Sequence, residues 1–152
     1  MLKRILLFFG FCASLAAPVF APRVFAQTAA EMETLLATDA LTYEQAASFV
    51  LRAADIAASS PAFNYAAERK WLSANAVPDG PAALNEVSLL IMGAFGIRGG
   101  IMYSATKSPH YAYRELVYQG IIQGRTDPGL AVSGDLLLFI VGKVLDRVEG
   151  EI

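Results

Sequence analysis

The sequence predicts an all-α fold, a small bundle of five to six helices built from repeated helix-turn-helix units. Three observations predict it. Apolar residues recur at helical spacing along several segments, helix-start signals precede those segments, and no segment alternates with period two over a useful length. The start signals are chemically distinct. Thr42 with Gln45 three residues on makes a capping box, Ser60-Pro61 and Ser108-Pro109 set a cap before a first-turn proline, and Ser133 stands ahead of Asp135.

The elements follow in order. Residues 1–26 read as an export signal rather than as fold. Lys3 and Arg4 form a positive start, Ile5 to Ala17 is apolar and uncharged, and Val24-Phe25-Ala26 offers a cleavage site ahead of Gln27. The alternative is an uncleaved anchor, for which the 17 residues Ile5–Ala21 are at the short limit. Phe11 before Cys12 is wrong for lipid attachment. Residues 27–40 are a helical lead-in. Leu41 to Ala58 is the clearest helix, with Ala46, Phe49, Val50, Ala53 and Ala57 on one face.

A helix from Ser60-Pro61 to about Ala74 carries Phe63, Tyr65, Ala66 and Trp71. Pro78-Asp79-Gly80-Pro81 is a turn. Asn85 to Ile97 is apolar all round, so it belongs at the centre of the core. Gly96 to Thr106 reads as a Gly-rich loop, Tyr111 to Gln119 as a helix, and Thr126-Asp127-Pro128-Gly129 as a turn. The last helix carries the stripe Leu137, Ile140, Val141, Val144, Leu145 and Val148, and 149–152 is a tail.

Composition excludes several function classes. The chain has 152 residues, 55% hydrophobic and 17% charged, with a formal net charge of −2. Such a chain is too apolar to be disordered and too acidic to expect a nucleic-acid partner. Loss of 1–26 would remove Lys3, Arg4 and Arg23 but no carboxylate, taking the net charge from −2 to −5. It would also remove Cys12, the single cysteine, so neither a disulfide framework nor thiol chemistry is expected. No segment of the remainder approaches the roughly 20 apolar residues of a bilayer span, so no integral membrane protein is expected after cleavage.

Three helices share one pattern. Leu41 to Ile56, Ala82 to Ile97 and Val132 to Leu145 align so that Arg52, Gly93 and Lys143 take the same place. The intervening helices match as well, Asn64-Tyr65-Ala66 against His110-Tyr111-Ala112, each shortly after Ser-Pro. The repeat spacing is 41 to 50 residues.

Pro109-His110-Tyr111-Ala112-Tyr113, Gly120-Ile121-Ile122-Gln123-Gly124-Arg125, and then Val132-Ser133 before an apolar helix resemble the S-layer homology domain. The likeness extends over most of 41–146, the domain being placed at 41–148. That family reads His-Trp-Ala, then Gly-Ile-(Ile/Val)-X-Gly, an Asp-Gly turn and a Thr-Arg-Ala-Glu-like helix start. The resemblance implies a pseudo-threefold helical module that docks on acidic cell-wall polysaccharide or peptidoglycan. The helix starts depart from it. They read Thr42-Tyr43-Glu44-Gln45, Ala83-Leu84-Asn85-Glu86 and Ser133-Gly134-Asp135-Leu136, with no basic residue in any copy.

No catalytic constellation stands out. His110 is the single histidine, and its place at a helix start after Ser-Pro reads as structural. One His and no retained Cys leave no zinc site of the usual kinds, and Asp79-Gly80 and Asp127-Pro128-Gly129 are too short for a calcium loop. Gly96-Ile97-Arg98-Gly99-Gly100 follows a helix and lacks nucleotide-loop spacing, so helix capping and close packing are its expected roles. Neither cofactor nor metal is expected. A ligand surface is expected at Arg98, Tyr103, Arg114 and Arg125, in or beside the loops that join the repeats. The expectation is thus an exported, periplasmic or envelope-associated, non-catalytic module that binds a cell-wall polymer. A protein-interaction adaptor that has lost glycan binding is the alternative, and a small hydrolase using His110 is a third reading.

Overall fold

The computed structural model describes residues 23–124 and 126–150; most of the expected export signal, and the candidate residue Arg125, lie outside them. Seven helices are found among the described residues: α1 (Arg23–Leu36), α2 (Tyr43–Ala53), α3 (Ala62–Glu68), α4 (Leu84–Ala94), α5 (Ile101–Thr106), α6 (Pro109–Tyr118) and α7 (Gly134–Gly150). The fold is all-α, and among the described residues there is no more extended structure than two isolated backbone bridges, Thr42 with Pro81 and Ala83 with Ala131.

At the centre the backbone closes on itself three times over. The Leu41 N–H donates to the Val132 carbonyl, the Val132 N–H to the Ala82 carbonyl, and the Ala82 N–H to the Leu41 carbonyl, each at 2.8 Å. These residues are at most 1% exposed. A buried peptide group must find a partner, and this ring satisfies three N–H and three C=O groups without water. Each ring residue stands directly before a helix-start segment, so α2, α4 and α7 all leave from one point.

A second tier repeats the arrangement: Tyr43 N–H to Gly80 C=O (3.1 Å), Leu84 N–H to Leu130 C=O (2.9 Å) and Gly134 N–H to Thr38 C=O (2.9 Å). The turns at Asp79-Gly80 and Asp127-Gly129 serve this tier. Gly80 N–H donates to Val77 C=O, and the Asp127 carboxylate accepts from Gly129, which hold Gly80 and Leu130 where α2 and α4 need acceptors. The three helices bury matching positions against the ring. Ala46, Val87 and Leu137 are fully buried, and Val50, Ile91 and Val141 lie next along the same faces within one core cluster.

The helix ends are as repetitive as the starts. Asp55, Lys70, Gly96 and Gly120 follow α2, α3, α4 and α6 with φ of 55°, 59°, 62° and 73°. The next residue then folds back: Ile56 N–H to Leu51 C=O, Trp71 to Ala66, Ile97 to Met92 and Ile121 to Leu116. This is the Schellman arrangement, a left-handed residue followed by an apolar one that closes onto the last turn. Four helices therefore stop in the same way, two at glycine and two at residues with a side chain.

Three sequence expectations change. The segment Gly96–Thr106 is a loop only in its first half, because α5 forms in the second. The Glu115 carboxylate accepts from Gly100 N–H at 2.9 Å, and Tyr103 buries its ring, 4% exposed, which together hold one short helix in place. This adds a helix to the expected five or six. The α3 start is not capped by Ser60. Pro61 is its N-cap, and the carboxylate of Glu44 on α2 accepts from Ala62 N–H (3.2 Å) and Phe63 N–H (2.9 Å) instead. The helices are also shorter than apolar spacing suggests, since α2 stops at Ala53 and α3 at Glu68. The Thr42–Gln45 capping box and the Ser108 and Ser133 caps form as expected.

α1 lies against α7 and is tied down at its C-terminal end. A Cβ at Gly134 would sit 1.7 Å from the Leu35 carbonyl oxygen, so the α7 start must be glycine for α1 to pass. Gly134→Ala should lower unfolding free energy by about 1–3 kcal/mol in chemical denaturation, the usual cost of forced overpacking. Asp55→Gly should raise it by about 0.5–1 kcal/mol, by relieving a side chain from the left-handed region at an exposed helix end.

Candidate functional site

A groove of about 530 Å³ runs between the end of α3, the outer face of α4 and α5. Leu89, Met92 and Gly93 of α4 form its floor. Arg69, Lys70 and Trp71 stand on one side, and Arg98, Gly99, Tyr103, Ser104 and Lys107 on the other. Four of the residues lining it are cations and none is a carboxylate. All four cations are exposed.

Local folding explains how they meet. The α3 end places Arg69 and Lys70 in its closing turn, and the bond from Trp71 N–H to Ala66 C=O folds the indole back over α4. Gly93 makes room for it: a Cβ there would lie 2.3 Å from the Trp71 ring. The repeat thus has a physical meaning at this position. The other two copies carry Arg52 and Lys143, whereas the middle copy carries glycine so that an aromatic ring can lie on the helix. Tyr65 meets Trp71 edge-on with centroids 6.1 Å apart, and the Arg69 guanidinium covers the Tyr65 ring at 3.6 Å. Such ring–ring and cation–ring contacts favour this arrangement of the three side chains.

The opposite side depends on α5. Gly99 lies against the Tyr103 ring, leaving no space for a Cβ. Lys107 ends α5 with φ 49° and brings its ammonium 4.4 Å above the Tyr103 ring. Burial pushes the Tyr103 phenol above its ordinary range, so the ring is a neutral wall. Glu115 on α6 holds this side from behind. It accepts from Gly100 N–H and from the Gln119 amide, and Gln119 also donates to the Arg98 carbonyl at 3.1 Å. The Gly100 N–H, and next the Gln119 amide, hold the Glu115 carboxyl below the usual carboxylate range.

Of the four expected ligand residues, the structure brings Arg98 and Tyr103 together in this groove. Arg114 is exposed on α6 outside the groove lining, and Arg125 lies outside the described residues. Arg69, Lys70 and Lys107 join the groove without having been singled out. Their signal in the sequence was faint: cations at helix ends, where they also complement the helix dipole. His110 is exposed at the start of α6 with its ring edge-on to Tyr111, centroids 5.3 Å apart. Among the described residues no group of three or more His, Cys, Asp or Glu could hold a metal ion. No helix among them is long and apolar enough to cross a membrane.

A larger, mainly apolar groove of about 1030 Å³ lies under α1, between α2 and α7. Its charged rim is occupied internally: Arg52 pairs with Glu31, and Glu44 caps α3.

Two outcomes test this geometry. Trp71 is the single tryptophan, so Gly93→Ala should shift its emission and near-ultraviolet dichroism while far-ultraviolet dichroism stays helical. Because the folded Glu115 is held below its ordinary value, its contribution to α5 is complete above the ordinary glutamate range. It is lost as pH falls through the lowered value. Amide exchange at Gly100 should therefore accelerate on acidification beyond its intrinsic pH dependence, and Glu115→Ala should show the faster exchange already at neutral pH. Comparison of the chain with family models, with curated proteins and with solved structures returns no match.

Proposed function

We propose that the chain is an exported, non-catalytic docking module whose cationic groove takes acidic glycan of the cell envelope. The observation that carries this reading is the convergence of Arg69, Lys70, Arg98 and Lys107 with Trp71 on one groove, in a chain whose net charge is −2. Four cations without a carboxylate among them favour a polyanion. An indole beside them suits the apolar face of a sugar ring. The resemblance to S-layer homology domains supports the same class of ligand, and the N-terminal export pattern supports the same compartment.

The position of the groove fits the departures from that family. Where the family's helix starts carry Arg, this chain has Tyr43, Leu84 and Gly134, all buried against the central ring. No ligand contact is available to those positions. The cations gather at helix ends instead, so the proposed contact surface differs from the one that the resemblance alone implies.

Co-sedimentation with purified sacculi tests the reading. The protein should pellet with sacculi at low salt and less at moderate salt, since exposed charges are screened. Lys70→Ala with Arg98→Ala should reduce binding by about tenfold or more, taking about 1 kcal/mol for each charge-assisted contact. Protein that remains wholly in the supernatant at both salt concentrations would overturn it.

A further inference from the structure

We infer that the α5–α6 end of the molecule is an interfacial face that binds a bilayer surface carrying anionic headgroups. This goes beyond the glycan groove: its apolar anchors and Arg114 lie outside the groove lining, and only Arg98 and Lys107 are shared with it. Ile101 is 87% exposed, Tyr118 88% and Met102 53%; the first two are the most exposed large hydrophobic residues among those described. They are brought to one end by bonds already in place: Glu115 to Gly100 N–H, directly before Ile101, and Gln119, directly after Tyr118, to the Arg98 carbonyl.

Cations stand before and after α5 and on α6. Arg98 precedes Gly99-Gly100 and Lys107 ends α5. Arg114 lies four residues before Tyr118 on α6 and so shares its face. The guanidinium of Arg147 reaches the Gln119 carbonyl at 3.3 Å. Glu115, the carboxylate between them, is already engaged by Gly100 and Gln119.

The shape and charge select the occupant. Side chains that are almost fully exposed protrude, so a protein partner would need a ready-made apolar socket for each of them. A bilayer interface requires none: it admits protruding Ile and Met to the acyl boundary and holds Tyr at headgroup level. These cations would repel the same face of a second copy, whereas anionic lipid would attract them, each cation strengthening binding about fivefold. The helix does not span; it would dip into the interface.

The test is vesicle flotation of the protein as the producing cells process it, beside its variants, with any leader identical in all of them. Vesicles of phosphatidylethanolamine with phosphatidylglycerol should bind it, and vesicles of phosphatidylcholine alone should bind it far less. Ile101→Ser with Met102→Ser should weaken binding about tenfold, as loss of two apolar anchors requires. Arg114→Ala should weaken it about fivefold, the loss of one cation's attraction. These positions are exposed, and far-ultraviolet dichroism should show both variants folded.

Equal binding to both vesicle types, no binding, or binding indifferent to Ile101→Ser with Met102→Ser would overturn the inference. So would self-association that this variant abolishes without any vesicle binding. Sacculus binding should survive the Ile101→Ser and Met102→Ser changes, so a failure here is separable from a failure of the glycan reading.

Discussion

Three backbone hydrogen bonds set the arrangement on which the rest of this fold depends. The ring of Leu41, Ala82 and Val132 satisfies its own peptide groups in a place that water does not reach, and each member is followed at once by a helix. That constraint determines more than the centre. It makes the starts of α2, α4 and α7 equivalent, so each places a buried residue two positions after its ring member. Tyr43, Leu84 and Gly134 fill those positions differently because their surroundings differ. Tyr43 sends its hydroxyl to the Ala83 N–H, Leu84 is wholly buried, and Gly134 yields its space to the Leu35 carbonyl of α1. One repeated backbone geometry thus tolerates an aromatic, an aliphatic and a missing side chain.

Away from the ring, carboxylates act as struts between helices. Glu44 reaches the start of α3, Glu86 accepts from Ser73 N–H in the segment after it, and Glu115 reaches the start of α5. Glu44 and Glu115 join a helix to N–H groups of the kind that helix starts leave open, and Glu86 joins α4 to an N–H group in the turn after α3. Short helices such as α3 and α5 would be marginal alone, and a charge-assisted bond to a neighbouring helix is what places them. Three of the chain's 14 acidic residues therefore serve its internal geometry.

This division of charge bears on the groove. With Glu86 and Glu115 facing backbone donors, the exposed surface between α3 and α5 is left to Arg69, Lys70, Arg98 and Lys107. A protein of net negative charge can carry a local anion site in this way, because a nearby field is dominated by the closest charges when salt screens the rest beyond roughly 10 Å. The aromatic parts are equally dependent on backbone. Trp71 lies on α4 because Gly93 does, and the Tyr103 wall stands where it does because Gly99 leaves it room.

The sequence by itself determined the fold class, the caps at Thr42, Ser108 and Ser133, the Asp-Gly and Asp-Pro-Gly turns and the alignment of three helices into a repeat. These are local features, written in spacing and in side chains that bond to their own backbone within four residues. Tertiary structure decided what depends on partners far along the chain. The α3 cap is Glu44 rather than the adjacent Ser60, and α5 exists because Glu115 holds its start. Gly134 is required by the Leu35 carbonyl of α1, 99 residues away in sequence. The candidate groove was half legible. Arg98 and Tyr103 stood out because a Gly-rich joint is a usual place for contact residues. Arg69, Lys70 and Lys107 did not, because a cation at a helix end looks the same whether it complements a dipole or faces a ligand. Only the folding back of Trp71 onto Gly93 brings them to the same groove, since no rule of local spacing connects residue 70 with residue 107.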